Sequence, residues 1–335
     1  MDMTWKLYIP DGAQDILTSE CSLKRKTENA MIDIFKKAGF DEIATPTMEF
    51  FDSFSGQRDI IPEENMIKFV DEQGRIVVLR PDLTVPCARV AATKLKTVRP
   101  LKVCYCQKVF RSKKDRHLDL KEINQAGCEI FGRGEAAADA EIIATAIEAL
   151  KAAGLKDFTV ELGQVNYFKG LMNETDLPFE EKNSLRELID KKDFLGLEQK
   201  VAALGIEGDL RTAITELPAL YGGTEILDRI KDYNFGGKAK DAINNLCEVV
   251  DILKSEGYEP YLAIDLGMVS ELSYYTGIIF QGFVPGFGTP ILSGGRYDHL
   301  VEKFGQPTPA TGFSLHINFL LETLSAENAG KESDS

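Results

Sequence analysis

Apolar positions recur at helical spacing through Leu23, Thr27, Ala30, Met31, Ile34, Phe35 and Ala38, and Gly39 follows them. Steps of three and four residues put this set on one face of a helix, and a glycine just beyond is a common stop. The period then shortens. An extended segment, Glu42 to Thr45, ends at Pro46, and residues 67–80 (IKFVDEQGRIVVLR) predict a hairpin turning at Gln73-Gly74. Residues 101–110 and 120–131 predict two further strands around the charged loop SKKDRHLDL. A second amphipathic helix carries Ile142, Ile143, Ala146, Ile147 and Leu150 and stops at Gly154, after which FTVEL (158–162) is strand-like.

From about Leu171 to Gly257 every periodic stretch is helical, as in LRELIDKKDFLGLEQKVAALG and AINNLCEVVDILKSEG. Strand-like segments resume at 261–265, 275–284 and 290–293, and a helix is predicted from about Thr311 to Leu324. The polar residues 326–335 predict a disordered tail. Strands on both sides of a helical block, with hairpins among them, give an α+β class: an antiparallel sheet flanked by helices. The predicted division is a discontinuous domain, 1–170 and 258–325, interrupted by a helical insertion, 171–257.

Composition narrows the function. The 335 residues carry 39 basic and 53 acidic side chains, a formal charge of −14. Nucleic acid is held by cationic surface and counterion release, so this balance argues against a tRNA partner. Lys108, Arg111, Lys113, Lys114 and Arg116 form one basic cluster, which we take as a solvated hairpin tip. The six cysteines include Cys104 and Cys106, spaced as alternate strand residues rather than as a metal knuckle, and His117, His299 and His316 form no ligand cluster. A reduced cytoplasmic protein is expected, without metal or cofactor. No signal peptide or membrane span is expected, and neither GxGxxG nor GxxxxGK[ST] occurs.

Five segments in order resemble the histidyl-tRNA synthetase family, whose catalytic domain is of the class II synthetase type. PDGAQDIL (10–17) with the helix leading to Pro46 resembles its opening and first motif, and LRPDLT (79–84) its substrate-binding LRPEGT. FRSKKDRHLDLKEINQAGCEIFG (110–132) resembles the second-motif loop, ELSYYTGIIF (271–280) the histidine-specific loop, and GGRYDHLVEKFGQPTPATGFSL (294–315) the run into the third motif. The resemblance implies a six- or seven-stranded antiparallel sheet and a dimer formed through the first motif. It also implies a histidine site at Asp82, Thr84, Arg111, Gln125, Glu129, Tyr275 and Tyr297, with Tyr274 adjacent. The chemistry of that set is coherent. Asp82 and Thr84 can accept from an ammonium, Arg111 can bind a carboxylate, Gln125 can serve either group, and Glu129 and Tyr275 can hold imidazole nitrogens. Taken singly, each residue has a plainer alternative: Glu129 facing water, Arg111 and Asp82 as a structural ion pair, the tyrosines as core aromatics.

The departures from the family pattern fall on its ATP site. Amino-acid activation builds charge on a phosphate, which needs fixed cations. The arginine before the histidine loop is Ser270, with Glu271 and Ser273 close behind, and the arginine ending the third motif is Phe319. The second motif's FRxE reads Phe110-Arg111-Ser112-Lys113, with Lys113 in the glutamate's place. Losing one preorganised donor costs roughly 10²–10³ in rate, so ATP-dependent activation is expected to be lost.

The family's anticodon-binding domain is not expected here. A group of synthetase paralogues shares this pattern, the regulatory subunits of short-form ATP phosphoribosyltransferase, a glycosyltransferase that opens histidine biosynthesis. Resemblance to that group implies a catalytic-subunit partner, L-histidine as ligand, a homodimer within a hetero-octamer, feedback regulation, and no catalysis by this chain. The alternatives are an adenylate-forming enzyme derived from a truncated synthetase and a histidine or uncharged-tRNA sensor for another partner.

Overall fold

The computed structural model describes residues 5–55, 61–113, 119–231, 236–269 and 274–333. Helix α1 (Thr18–Lys37) buries Met31 and Phe35 completely, each such side chain contributing about 1.5–3 kcal/mol of burial. After it come β1 (Asp41–Glu42) and β2 (Met48–Phe50), on either side of Pro46. The predicted hairpin is present as β3 (Lys68–Val70) and β4 (Ile76–Leu79), with Gly74 at φ 77° in its turn. Helix α2 (Thr84–Thr93) then precedes the long hairpin of β5 (Leu101–Phe110) and β6 (Glu122–Phe131). Helix α3 (Ala136–Ala153) ends at Gly154, whose φ of 106° is the left-handed cap that glycine takes most easily.

Strand β7 (Thr159–Gln164) leads into α4 (Val165–Asn173), α5 (Phe179–Asp190), α6 (Phe194–Ala203) and α7 (Gly208–Glu216). A two-residue strand, β8 (Tyr221–Gly222), interrupts this helical block, which continues as α8 (Ile226–Lys231) and α9 (Gly237–Ser255). The chain closes with β9 (Leu262–Asp265), β10 (Ile278–Phe283), β11 (Leu292–Arg296), β12 (Ala310–His316) and α10 (Ile317–Ser333). Among the described residues no helix is long and apolar enough to cross a membrane.

One sheet organises these elements, in the order β1-β5-β6-β12-β11-β10-β7-β9-β8. Its centre, β5 to β7, is six strands paired antiparallel throughout, as expected. The flanks depart from that expectation: β1 joins β5 and β9 joins β7 in parallel, so the nine-stranded sheet is mixed. Strands β2, β4 and β3 form a separate small sheet. Helices α1 and α3 pack together over one face of the main sheet, and α2 lies against the other.

Three expectations need correction. Residues 310–316 form strand β12, so the closing helix begins at Ile317 rather than near Thr311. That helix runs to Ser333, so residues 326–333 are helical where a disordered tail was expected. The helical block begins at Val165, ahead of Leu171, and β8 ties it to the sheet edge.

Candidate amino-acid site

The face of the sheet away from α1 and α3 has small residues where its central strands meet. Strand alternation puts Gln125, Gly127 and Glu129 of β6 on this face, and register aligns Gln125 with His316 and Glu129 with Gly312 on β12. Ser314 follows on β12, paired with Ser293 on β11. The floor so formed is polar and low. Above it is a cavity of about 160 Å³, bordered by Asp82, Thr84, Arg111, Tyr274, Tyr275 and Tyr297 as well as Gln125 and His316. That volume corresponds to about five waters at about 30 Å³ each, a space for a small polar molecule.

Glu129 lies under one end. It is wholly buried, and its two oxygens accept from the hydroxyls of Tyr105 (3.1 Å) and Tyr297, with Thr84 bonding the same carboxyl. Burial pushes this carboxyl up to about 8, although the three hydroxyls and their hydrogen bonds pull the other way. Neighbouring Gly312 is what admits it: a Cβ there would fall on Glu129 Oε2. Behind Tyr297, Arg296 is fixed by a buried ion pair to Asp139 of α3, Nη2 to Oδ1 2.9 Å, and donates to Asp298 Oδ1 (3.1 Å). These contacts anchor β11 and α3 where the phenol enters the site.

Asp82 sits just before α2 and accepts the Val85 amide at 3.1 Å, so it caps the helix start. Burial raises its carboxyl to about 6, opposed by the Val85 amide, the Arg111 charge and the Thr84 amide. Arg111 Nε reaches the Pro81 carbonyl at 3.5 Å. Gln125 is 4% exposed, and its Oε1 is buried with no hydrogen-bond partner among the described residues. A buried acceptor without a donor costs about 1–3 kcal/mol, so this atom points to a ligand donor.

Tyr274 and Tyr275 stack with ring centroids 4.3 Å apart, and Tyr274 tilts against Tyr297 at 6.0 Å. Burial raises all three phenols, Tyr275 to about 12, which keeps them protonated donors at neutral pH. The segment bearing Tyr274 and Tyr275 is held from α4. Lys169 Nζ donates to the Tyr275 carbonyl (3.1 Å), Asn166 Nδ2 to that of Thr276 (2.6 Å), and the Val165 amide to that of Gly277 (3.1 Å).

The structure therefore gathers Asp82, Thr84, Arg111, Gln125, Tyr274, Tyr275 and Tyr297 around one cavity, with Glu129 beneath its wall. Of the positions that depart from the ATP-site pattern, Phe319 is 3% exposed in the core, and Lys113 is a surface residue 3.6 Å from Glu64. Ser270, Glu271 and Ser273 lie outside the described residues, as do Lys114, Arg116 and His117. Sequence reasoning missed Ser293, Gly312, Ser314 and His316. Reading 310–316 as a strand would have supplied the last three, since alternation sets them on one face.

A mixed sheet with an antiparallel centre, a small polar cavity on one face and the α1–α3 pair on the other is the fold of a class II synthetase-type domain. The profile of the histidyl-tRNA synthetase family matches residues 12–320. The ATP phosphoribosyltransferase regulatory subunit of Acetivibrio thermocellus is 50% identical over 321 residues, 96% of this chain and 77% of that protein. Its counterpart in Ruminiclostridium cellulolyticum is 46% identical over 327 residues, 97% of this chain and 78% of that one. A solved ATP phosphoribosyltransferase regulatory subunit/histidyl-tRNA synthetase from Bacillus halodurans superposes with a TM-score of 0.88 at 33% identity, covering 96% of this chain and 84% of that one. Histidyl-tRNA synthetase from Nostoc, with a TM-score of 0.80 at 21% identity, covers 96% and 76% and shares the fold. The chain belongs to the ATP phosphoribosyltransferase regulatory subunits, a histidyl-tRNA synthetase-like family.

Proposed function

We propose that this chain is the non-catalytic regulatory subunit of a short-form ATP phosphoribosyltransferase and that it takes up free L-histidine in the cavity above the sheet. The observation that carries the reading is Gln125, a buried carbonyl without a donor, bordering the same small cavity as Asp82 and Arg111. An α-amino acid supplies the matching groups. Its ammonium meets Asp82, Thr84 and the Gln125 carbonyl, and its carboxylate meets Arg111. The imidazole lies among Tyr274, Tyr275 and Tyr297, with Glu129 setting the phenols and answering a ring nitrogen. A buried polar set of this kind rejects analogues that leave members unpaired.

The phosphoribosyl transfer belongs to the catalytic subunit, and this chain carries no chemistry. Two or more assembly states must bind histidine unequally for the ligand to shift activity. The proposed assembly is a cytoplasmic hetero-octamer in which homodimers of this chain activate the catalytic subunit and transmit feedback by histidine. The test is reconstitution. A short catalytic subunit that is inactive alone is expected to gain ATP phosphoribosyltransferase activity with this chain and to lose it on adding histidine. Histidine-dependent pyrophosphate exchange by this chain alone would instead establish an adenylate-forming enzyme.

A further inference from the structure

His316 closes β12 and stands opposite Gln125 in the sheet. It borders the cavity, and its ring lies flat on Phe319, with centroids 4.8 Å apart and planes at 13°. Phe319 in turn meets Phe287, with centroids 5.5 Å apart and planes at 60°. The three rings come from β12, α10 and the β10–β11 connection. The stack thus ties three elements together and rests on the core at its base. The His316 amide also donates to the Ile291 carbonyl at 2.9 Å, fixing the backbone beneath the imidazole.

The position of this stack along the cavity matters. Glu129 is four residues from Gln125 on β6, about 13 Å at about 3.3 Å per strand residue. The tyrosines that bond or flank Glu129 define one end, and Arg111, Gln125 and His316 define the other. A zwitterion whose ring lies among the tyrosines has its carboxylate beside His316.

We infer that the His316–Phe319 stack is a specificity wall that confines the site to amino acids whose carboxyl carries no bulky substituent. This inference rests on the amino-acid reading of the cavity. A bulky substituent on the carboxyl, such as an aryl amide, a large ester or an acyl phosphate, runs into the imidazole, and the imidazole cannot swing away because Phe319 is packed behind it. The site then responds to the free amino acid and ignores its activated or conjugated forms.

The test is calorimetric titration with L-histidinamide and L-histidine β-naphthylamide, whose carboxyl ends are both uncharged and differ in bulk. The wild-type chain is expected to prefer histidinamide by about fiftyfold, the scale of an overpacked contact. His316→Ala, and His316→Ala combined with Phe319→Leu to keep the core filled, are expected to reduce that preference to about fivefold or less, with thermal melts confirming folded protein. An unchanged preference in both variants overturns the wall, as does a wild-type chain that takes both probes equally. If the wild type binds neither histidine nor histidinamide, the amino-acid reading fails, and the naphthylamide alone judges the wall. Uptake by the variants but not the wild type supports it, and uptake by none overturns it.

Discussion

The Tyr297 hydroxyl donates to Glu129 Oε2 inside the protein, joining the residue just after β11 to β6 through a carboxyl that water does not reach. Because burial holds the Glu129 carboxyl near 8 instead of the ordinary 4.5, the folded chain keeps a proton that the unfolded chain releases. The stability this group contributes is complete below about 4.5 and is lost as pH rises through about 8. Asp82, raised to about 6, adds the same sign over a lower window. Glu129→Gln is neutral at all pH, so its melting temperature is expected to fall less between pH 5 and 8 than that of the wild type. Parallel curves in scanning calorimetry would remove Glu129 from the pH dependence.

Gly312 is set by the same carboxyl. Gly312→Ala places a methyl group on Glu129 Oε2, in a strand paired on both sides. The side chain must leave its three hydroxyl partners or the strands must part, at a cost of about 1–3 kcal/mol or more. A chemical-denaturation midpoint lowered without a change in slope is the expected result. An unaltered midpoint would mean that Glu129 relaxes freely.

Lys169 makes a separate prediction about the tyrosine segment. Lys169→Met keeps the apolar stem on α4 and removes the donor to the Tyr275 carbonyl. A lost hydrogen bond from a charged donor costs about 1.5–3 kcal/mol locally. Amides near 275–277 are expected to exchange faster with deuterium while α3 stays protected, and histidine affinity is expected to fall with them. Unchanged exchange there would show that the Asn166 and Val165 contacts suffice.

The elements that the sequence made legible were those with one wet face. Helix α1, the β3–β4 hairpin and the end of α3 at Gly154 all have periodic apolar positions and a turn residue to mark them. Helix α2 had neither, being built of small residues and buried on most sides, with Pro86 in its first turn, where a missing amide does no harm. Strand β12 was hidden for a related reason. Its residues are mostly buried on both faces, and it runs into α10 at His316–Ile317 with no intervening turn, so two periods merge into one apolar run. The parallel additions at the sheet edges, two residues of β1 and four of β9, are too short for pattern to give direction.

The site followed the same division. Charged and aromatic members such as Asp82, Arg111, Glu129 and Tyr297 stood out through the family resemblance. The floor of Ser293, Gly312 and Ser314 did not, because small residues announce nothing until a neighbouring strand gives them a function. Gly312 acquires its meaning only from the carboxyl of Glu129 on the next strand.

The central claim is that the cavity holds a free amino acid through Gln125 and Arg111, and isothermal calorimetry of the purified chain with L-histidine tests it most directly. Saturable one-site binding is predicted, weakened about tenfold or more by Gln125→Leu and by Arg111→Ala, the scale of a hydrogen bond to a charged group. No heat with histidine, or equal affinity in the wild type and both variants, would contradict the account.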